Sequence, residues 1–201
     1  MAKRMGDPIT LGSGTFYLAE YADTVPADIA AVRALCTPAN RLGYTKGGAE
    51  LSYTEETHEE KDDLGFVSKV ITTSEEVLLK GGLLTWTGET MGKLVDRSTV
   101  TPATGARVTK IGGAGNAKGK YYVVIFHHRD PAGGDLYVVI VGRNTAGLTV
   151  TFAVDAGTVL EPEFKAKPQD DNGTLVTVYE ELDTTAAPTD GEPDGEPEEE
   201  T

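Results

Sequence analysis

Tyr121-Tyr122-Val123-Val124-Ile125-Phe126-His127-His128 and Leu136-Tyr137-Val138-Val139-Ile140-Val141, joined through Asp130-Pro131-Ala132-Gly133-Gly134-Asp135, spell a β-hairpin. Both runs are dense in β-branched and aromatic residues, which fit a pleated surface, and the segment between them gathers the residues that turn a chain. Each run falls far short of the ~20 apolar residues a membrane helix requires.

Working outward, Leu148, Val150, Phe152 and Val154 alternate with Thr149, Thr151 and Ala153, which predicts a strand with one buried face. Phe164 and Ala166 lead into Pro168-Gln169-Asp170-Asp171-Asn172-Gly173, and the Asn-Gly pair signals a hairpin returning along Leu175 to Glu181. Upstream, Phe16 to Tyr21, Glu50 to Thr57 and Val67 to Leu79 read as three further strands. Thr87 to Val95 reads as a helix, with Thr87 as N-cap, Glu89 in the first turn, and Met91, Leu94 and Val95 on one apolar face. A shorter helix is expected around Ile29, Val32 and Leu35, between Pro26 and Pro38. About eight strands against one well-marked helix predict a mainly β fold, a β-sandwich or partly open barrel with one packed helix and a long hairpin loop. The expected organisation is an irregular N-terminal arm over 1–14, a β domain over 15–183 and an acidic, flexible C-terminal tail over 184–201.

Composition narrows the function. Of 201 residues, 32 are acidic and 18 are Lys or Arg, a formal charge of −14. Seven of the acids crowd into residues 190–201, leaving the body near −7. A chain that remains acidic without its tail repels phosphates, which disfavours tight nucleic-acid binding by counterion release. One cysteine, Cys36, allows neither an intrachain disulfide nor a zinc cluster. Lys3 and Arg4 run into Met5-Gly6-Asp7-Pro8 rather than an apolar stretch, so folding in a cytoplasm is expected.

The familiar chemical motifs fail on their spacing. Gly112-Gly113-Ala114-Gly115-Asn116-Ala117-Lys118-Gly119-Lys120 has Ala114 and Tyr121 where a phosphate loop needs Gly and Ser or Thr, so a flexible hairpin loop is expected. His127 and His128, adjacent on a strand, point to opposite faces and cannot chelate one ion together. His58 has no Cys or Ser neighbour to activate, and Ser13 follows Leu11 rather than the Gly a nucleophile elbow uses. Asp170-Asp171-Asn172-Gly173 lacks the flanking ligands of a calcium loop. No catalytic, cofactor or metal site is therefore expected. The feature that stands out is acidic: Glu55, Glu56, Glu59, Glu60, Asp62 and Asp63, with His58 and Lys61 among them, between two predicted strands. A charged excursion of this kind reads as a functional or interaction loop rather than a spacer.

Leu42-Gly43-Tyr44-Thr45-Lys46-Gly47-Gly48, the acidic hairpin, and then Leu83-Leu84-Thr85-Trp86-Thr87-Gly88-Glu89-Thr90-Met91-Gly92-Lys93-Leu94 form an ordered series. It closes with Phe164-Lys165-Ala166-Lys167-Pro168 and Asp171-Asn172-Gly173-Thr174-Leu175. From about Gly14 to Glu181 this series resembles the major tail tube proteins of long-tailed bacteriophages with non-contractile tails. The resemblance implies a virion subunit rather than an enzyme, one that forms hexameric rings stacked into a tube carrying DNA from capsid to host. It implies that the hairpin around 51–79 reaches a neighbouring subunit or ring, and that the helix from Thr87, with Trp86, Met91 and Leu94, packs on the sheet. Implied partners are other copies of the chain, the tail tape measure, terminator and tip proteins, and transiently passing double-stranded DNA, with no membrane. The implied location is the virion tail, assembled in the bacterial cytoplasm. An acidic channel lining would let DNA slide without adhering. The competing expectation is a monomeric β-sandwich module that binds carbohydrate or protein.

Overall fold

The computed structural model describes residues 13–182 apart from 65, 132, 153 and 156. Most of the expected N-terminal arm and all of the expected acidic tail lie outside the described residues. The elements are β1 (Gly14–Glu20), α1 (Ile29–Leu35), β2 (Arg41–Lys61), β3 (Ser68–Leu83), α2 (Gly88–Leu94), β4 (Ser98–Ala103), β5 (Ala106–Ile111), a 3-10 turn (Ala114–Asn116), β6 (Tyr122–His128), β7 (Leu136–Asn144), β8 (Glu163–Lys167) and β9 (Val176–Glu180).

The fold is mainly β. Among the described residues, one sheet has seven strands in the order β6-β1-β2-β3-β8-β7-β9, and a further pairing of β6 with β7 returns it on itself. The result is a barrel of β1, β2, β3, β8, β7 and β6, with β9 continuing the line of β8 along β7. Some seams are short: β3 meets β8 only from Leu78 to Lys80.

Alternation along the strands sorts the core into two compartments. Phe16 and Leu18 of β1 stand opposite Phe126 and Val124 of β6, and these face inward with Val77, Leu79, Val138, Ile140 and Phe164. The Phe16 ring lies 5.2 Å from that of Phe126 and 6.0 Å from that of Phe164, spacings at which tilted aromatic pairs attract. Gly81 is small because a Cβ there would collide with the Phe16 ring. On the outer surface, Ala19, Val123, Ile125, Tyr137 and Val139 are covered by α1 through Val32. This helix starts where the Asp28 side chain accepts the Ala31 N–H at 2.7 Å, which satisfies a donor that the helix itself leaves open.

The predicted hairpin of residues 121–141 is present as β6 and β7, paired in register from Tyr122↔Gly142 to His128↔Leu136. The α2 helix is present as well. Thr87 accepts from the N–H groups of Glu89 and Thr90 while Thr90 returns a bond to the Thr87 N–H, a reciprocal cap. Leu94 is buried, and Met91 and Trp86 pack against the inner core, with the indole N–H donating to the Thr158 carbonyl at 3.1 Å.

Three expectations need correction. Of the strand expected from Leu148 to Val154, the described residues 148–152 and 154 lie in no strand, and Phe152 and Val154 are 78% and 107% exposed. One edge of β7 is occupied by β6 and the other by β8 and β9, while Gly147 at φ 74 turns the chain aside. The acidic stretch is not a loop, because Glu55, Glu56, His58, Glu59, Glu60 and Lys61 all belong to β2. Only Asp62 and Asp63 lie in the turn that follows. Gly112–Lys120 is neither a hairpin loop nor loosely held: it links β5 to β6, with the Gly112 N–H on the Arg97 carbonyl at 2.7 Å and the Gly119 N–H on the Asp96 carboxylate at 2.8 Å. Lys118 caps it by donating to the Gly92 carbonyl at 2.7 Å, close to the C-terminal end of α2 where a cation is favoured.

Candidate assembly surface

β2 and β3 leave the barrel together. Their pairing runs without a third strand from Glu50↔Lys80 outward to Lys61↔Ser68, apart from the short β8 seam at its root. At the usual rise per residue this two-stranded ribbon projects about 35 Å. A root of glycines sets its departure. Gly47 and Gly48 take φ values of 85° and 80°, a region open to glycine at little cost, and the register jumps there from Thr45↔Leu83 to Ala49↔Gly81. Midway along the ribbon, Thr73 is an extra residue of β3, since Glu56 pairs with Ser74 but Thr57 pairs with Thr72.

Residues 50–76 hold nine acids and two lysines, a net charge of −7. One face of the ribbon carries Leu51, Tyr53, Glu55, Thr57, Glu59 and Lys61, opposite Leu79, Val77, Glu75, Thr72, Val70 and Ser68. The other carries Glu56, His58 and Glu60, opposite Ser74, Ile71 and Lys69. Like charges directly across a ladder repel, and the local groups answer that repulsion. Tyr53 donates to Glu75 at 2.8 Å, and Thr72 donates to Glu55 at 2.5 Å. Ser74 donates to Glu56 at 2.9 Å. Glu59 pairs with Lys61 at 3.0 Å and Glu60 with His58 at 3.2 Å. The Glu75 carboxylate holds the Tyr53 phenol up at about 12, because ionising it would place a third negative charge beside Glu55 and Glu75. At the tip Asp62 accepts the Val67 N–H at 2.7 Å, and Leu64 and Phe66 stand 77% and 82% exposed.

The expected site residues thus fall on one structure, as strand and turn rather than loop. A second protrusion had no counterpart in the expectations: β4 and β5 form a separate two-stranded sheet packed on α2. Val100 and Thr109 face the helix, as the close approach of Gly92 to Val100 and of Gly88 to Thr109 shows. The opposite face carries Thr99, Thr101, Val108 and Lys110, and Arg97, which precedes β4 and bridges Ala117, falls on that side by the strand's alternation. Its signal in the sequence is Thr104-Gly105, a two-residue turn with Gly105 at φ 70 between β-branched runs.

The remaining candidates are structural in their contacts. His127 and His128 do point to opposite faces. His127 stacks on Tyr137 at 4.3 Å and meets Asp135 at 3.0 Å on the outer surface. His128 is buried, with Nδ1 3.0 Å from the Ser13 carbonyl. Among the described residues no group of three or more His, Cys, Asp or Glu is placed to hold a metal ion, and no helix is long and apolar enough to cross a membrane. No protein-family model and no curated protein matches the chain.

Proposed function

We propose that the chain is a structural subunit that assembles with copies of itself, of the tail-tube kind, into stacked rings enclosing a conduit for DNA. The observation that carries this reading is the ribbon. A two-stranded hairpin alone in water is marginally stable, and this one is long, strongly acidic and tipped with exposed Leu64 and Phe66. Such an arm is best understood as half of a contact. Strand edges that are unpaired among the described residues, at β9 and along both sides of the outer ribbon, favour association in the same way. On this reading the chain is not an enzyme, its other partners are the tape measure, terminator and tip proteins of a tail, and it resides in the virion tail. Passing DNA would be kept from adhering by the net negative charge of the rings.

Sizing and negative-stain microscopy of concentrated protein provide the test, with tail-assembly initiators supplied. Rings or hollow tubes are expected. A chain that stays monomeric under all these conditions would instead fit a binding module.

A further inference from the structure

The two protrusions of this chain carry opposite charge. Against the −7 of residues 50–76, residues 88–120 hold six Lys or Arg and two acids, a net charge of +4 in a chain of −14. Much of that charge is engaged: Arg107 meets Glu89 at 2.7 Å, Lys120 meets Glu20 at 2.7 Å, and Lys118 is tied to Gly92. Arg97 and Lys110 are different. Both are exposed, and neither makes an ion pair among the described residues; Lys110 lies on the face of the β4–β5 hairpin turned away from α2, and Arg97, just before β4 and bridged to Ala117, falls on the same side by the strand's alternation. Val108, 43% exposed, lies on the same face. The ribbon offers the complement on one of its faces, where Glu56 and Glu60 are exposed, with Lys69 across from Glu60, His58 between the two acids and Ile71 48% exposed beside them.

We propose that the acidic ribbon of one copy docks on the outward face of the β4–β5 hairpin of the next, Glu56 and Glu60 meeting Arg97 and Lys110 around an apolar contact of Ile71 with Val108. This rests on the self-assembly reading and names the receiving surface for it. Among the described residues no ion pair joins the two protrusions within one chain. The contact uses two different patches, so it is heterologous: it propagates head to tail and ends in closed rings or extended stacks, not in a two-fold dimer. Complementary charge sets the choice of partner and the speed of encounter, and salt weakens it.

The test is charge reversal in the full chain, read by sedimentation and negative-stain microscopy. The ribbon variant Glu56→Lys/Glu60→Lys and the hairpin variant Arg97→Glu/Lys110→Glu are each expected to lower association about tenfold or more. Mixed in equal amounts they should assemble again, because reversed ribbons then meet reversed hairpins and native ribbons meet native hairpins in alternation. All four substitutions in one chain should also restore assembly. The milder Arg97→Gln/Lys110→Gln, which keeps these long side chains polar, should fall between wild type and reversal, and thermal melting reports folding of each variant. Wild type that assembles while both reversed variants assemble equally well, or reversed variants that fail to rescue one another, overturns the docking and leaves the tube reading standing. Wild type that never assembles removes both.

Discussion

Glu55 and Glu75 face each other across the acidic ribbon, and the Tyr53 hydroxyl lies 2.8 Å from Glu75 and 3.5 Å from Glu55. A phenol on the same face thus bridges a like-charged cross-strand pair, and its proton is what makes the arrangement tolerable. With the phenol raised from 10.0 to about 12, its contribution is fully present below pH 10.0 and is lost as pH rises toward 12. The hydrogen bond from Tyr53 to Glu75 is expected to be lost in that window, seen as a shift of the Tyr53 ring signals. In Glu75→Gln the phenol should titrate closer to its ordinary value. Titration of Tyr53 unchanged by that substitution would contradict the assignment.

The inner core should dominate stability. Phe16 is fully buried, and Phe16→Ala is expected to cost about 3–5 kcal/mol in urea unfolding. Val154→Ser, at a fully exposed position, should change stability by less than about 0.5 kcal/mol. A large loss at Val154 would restore the strand that the sequence suggested there.

The reciprocal cap of α2 gives a smaller, local effect. Thr87→Ala is expected to cost about 1 kcal/mol, and Thr87→Ser much less. Equal losses in the two variants would mean that the methyl group, not the hydroxyl, matters.

At the β8–β9 connection, Asp170 accepts the N–H groups of Asn172 and Thr174, each at 3.0 Å. These bonds hold its carboxyl below the usual range. A depressed value stabilises the turn above the ordinary carboxylate pKa, and that stabilisation is lost as pH falls through the depressed one. The protection of the Thr174 amide, its exchange relative to the intrinsic rate at each pH, is expected to fall in acid, and Asp170→Asn, which keeps an acceptor, should abolish that change in protection. An acid-dependent loss of protection persisting in Asp170→Asn would assign the effect to another group.

Replacing residues 57–73 with an Asn-Gly turn should leave the barrel folded, because the core residues Val77 and Leu79 are kept, while assembly is lost. A truncated chain that still forms rings would move the contacts elsewhere.

The barrel was legible where turn chemistry and side-chain shape agreed. Tyr121 to Val141 combined β-branched runs with a Pro/Gly turn, and Asn172-Gly173 marked the last connection. Leu148 to Val154 had the right alternation, but both edges of the preceding strand β7 are taken by β6, β8 and β9, which is a property of the assembled sheet rather than of the segment. The ribbon was read short because glutamates have low strand preference; what extends it is a partner strand equally long, with hydroxyls placed to meet the carboxylates. The β4–β5 hairpin escaped notice because Pro102, Arg107 and Lys110 interrupt any apolar pattern, and its inner face is completed by the small residues of α2. The assembly surface was therefore half legible: its acids by composition, its cations only once two strands had brought Arg97 and Lys110 to one face.

Thr73, the extra residue of β3 midway along the ribbon, also sets the course of the arm. Its hydroxyl donates to the Glu56 carbonyl at 3.1 Å, and a bulge of this kind bends and coils the strand that holds it. Removing Thr73 would keep every other cross-strand pair and every charge, yet straighten the ribbon and point its tip in another direction. Composition fixes what the arm can attract, and this one inserted residue steers where it reaches.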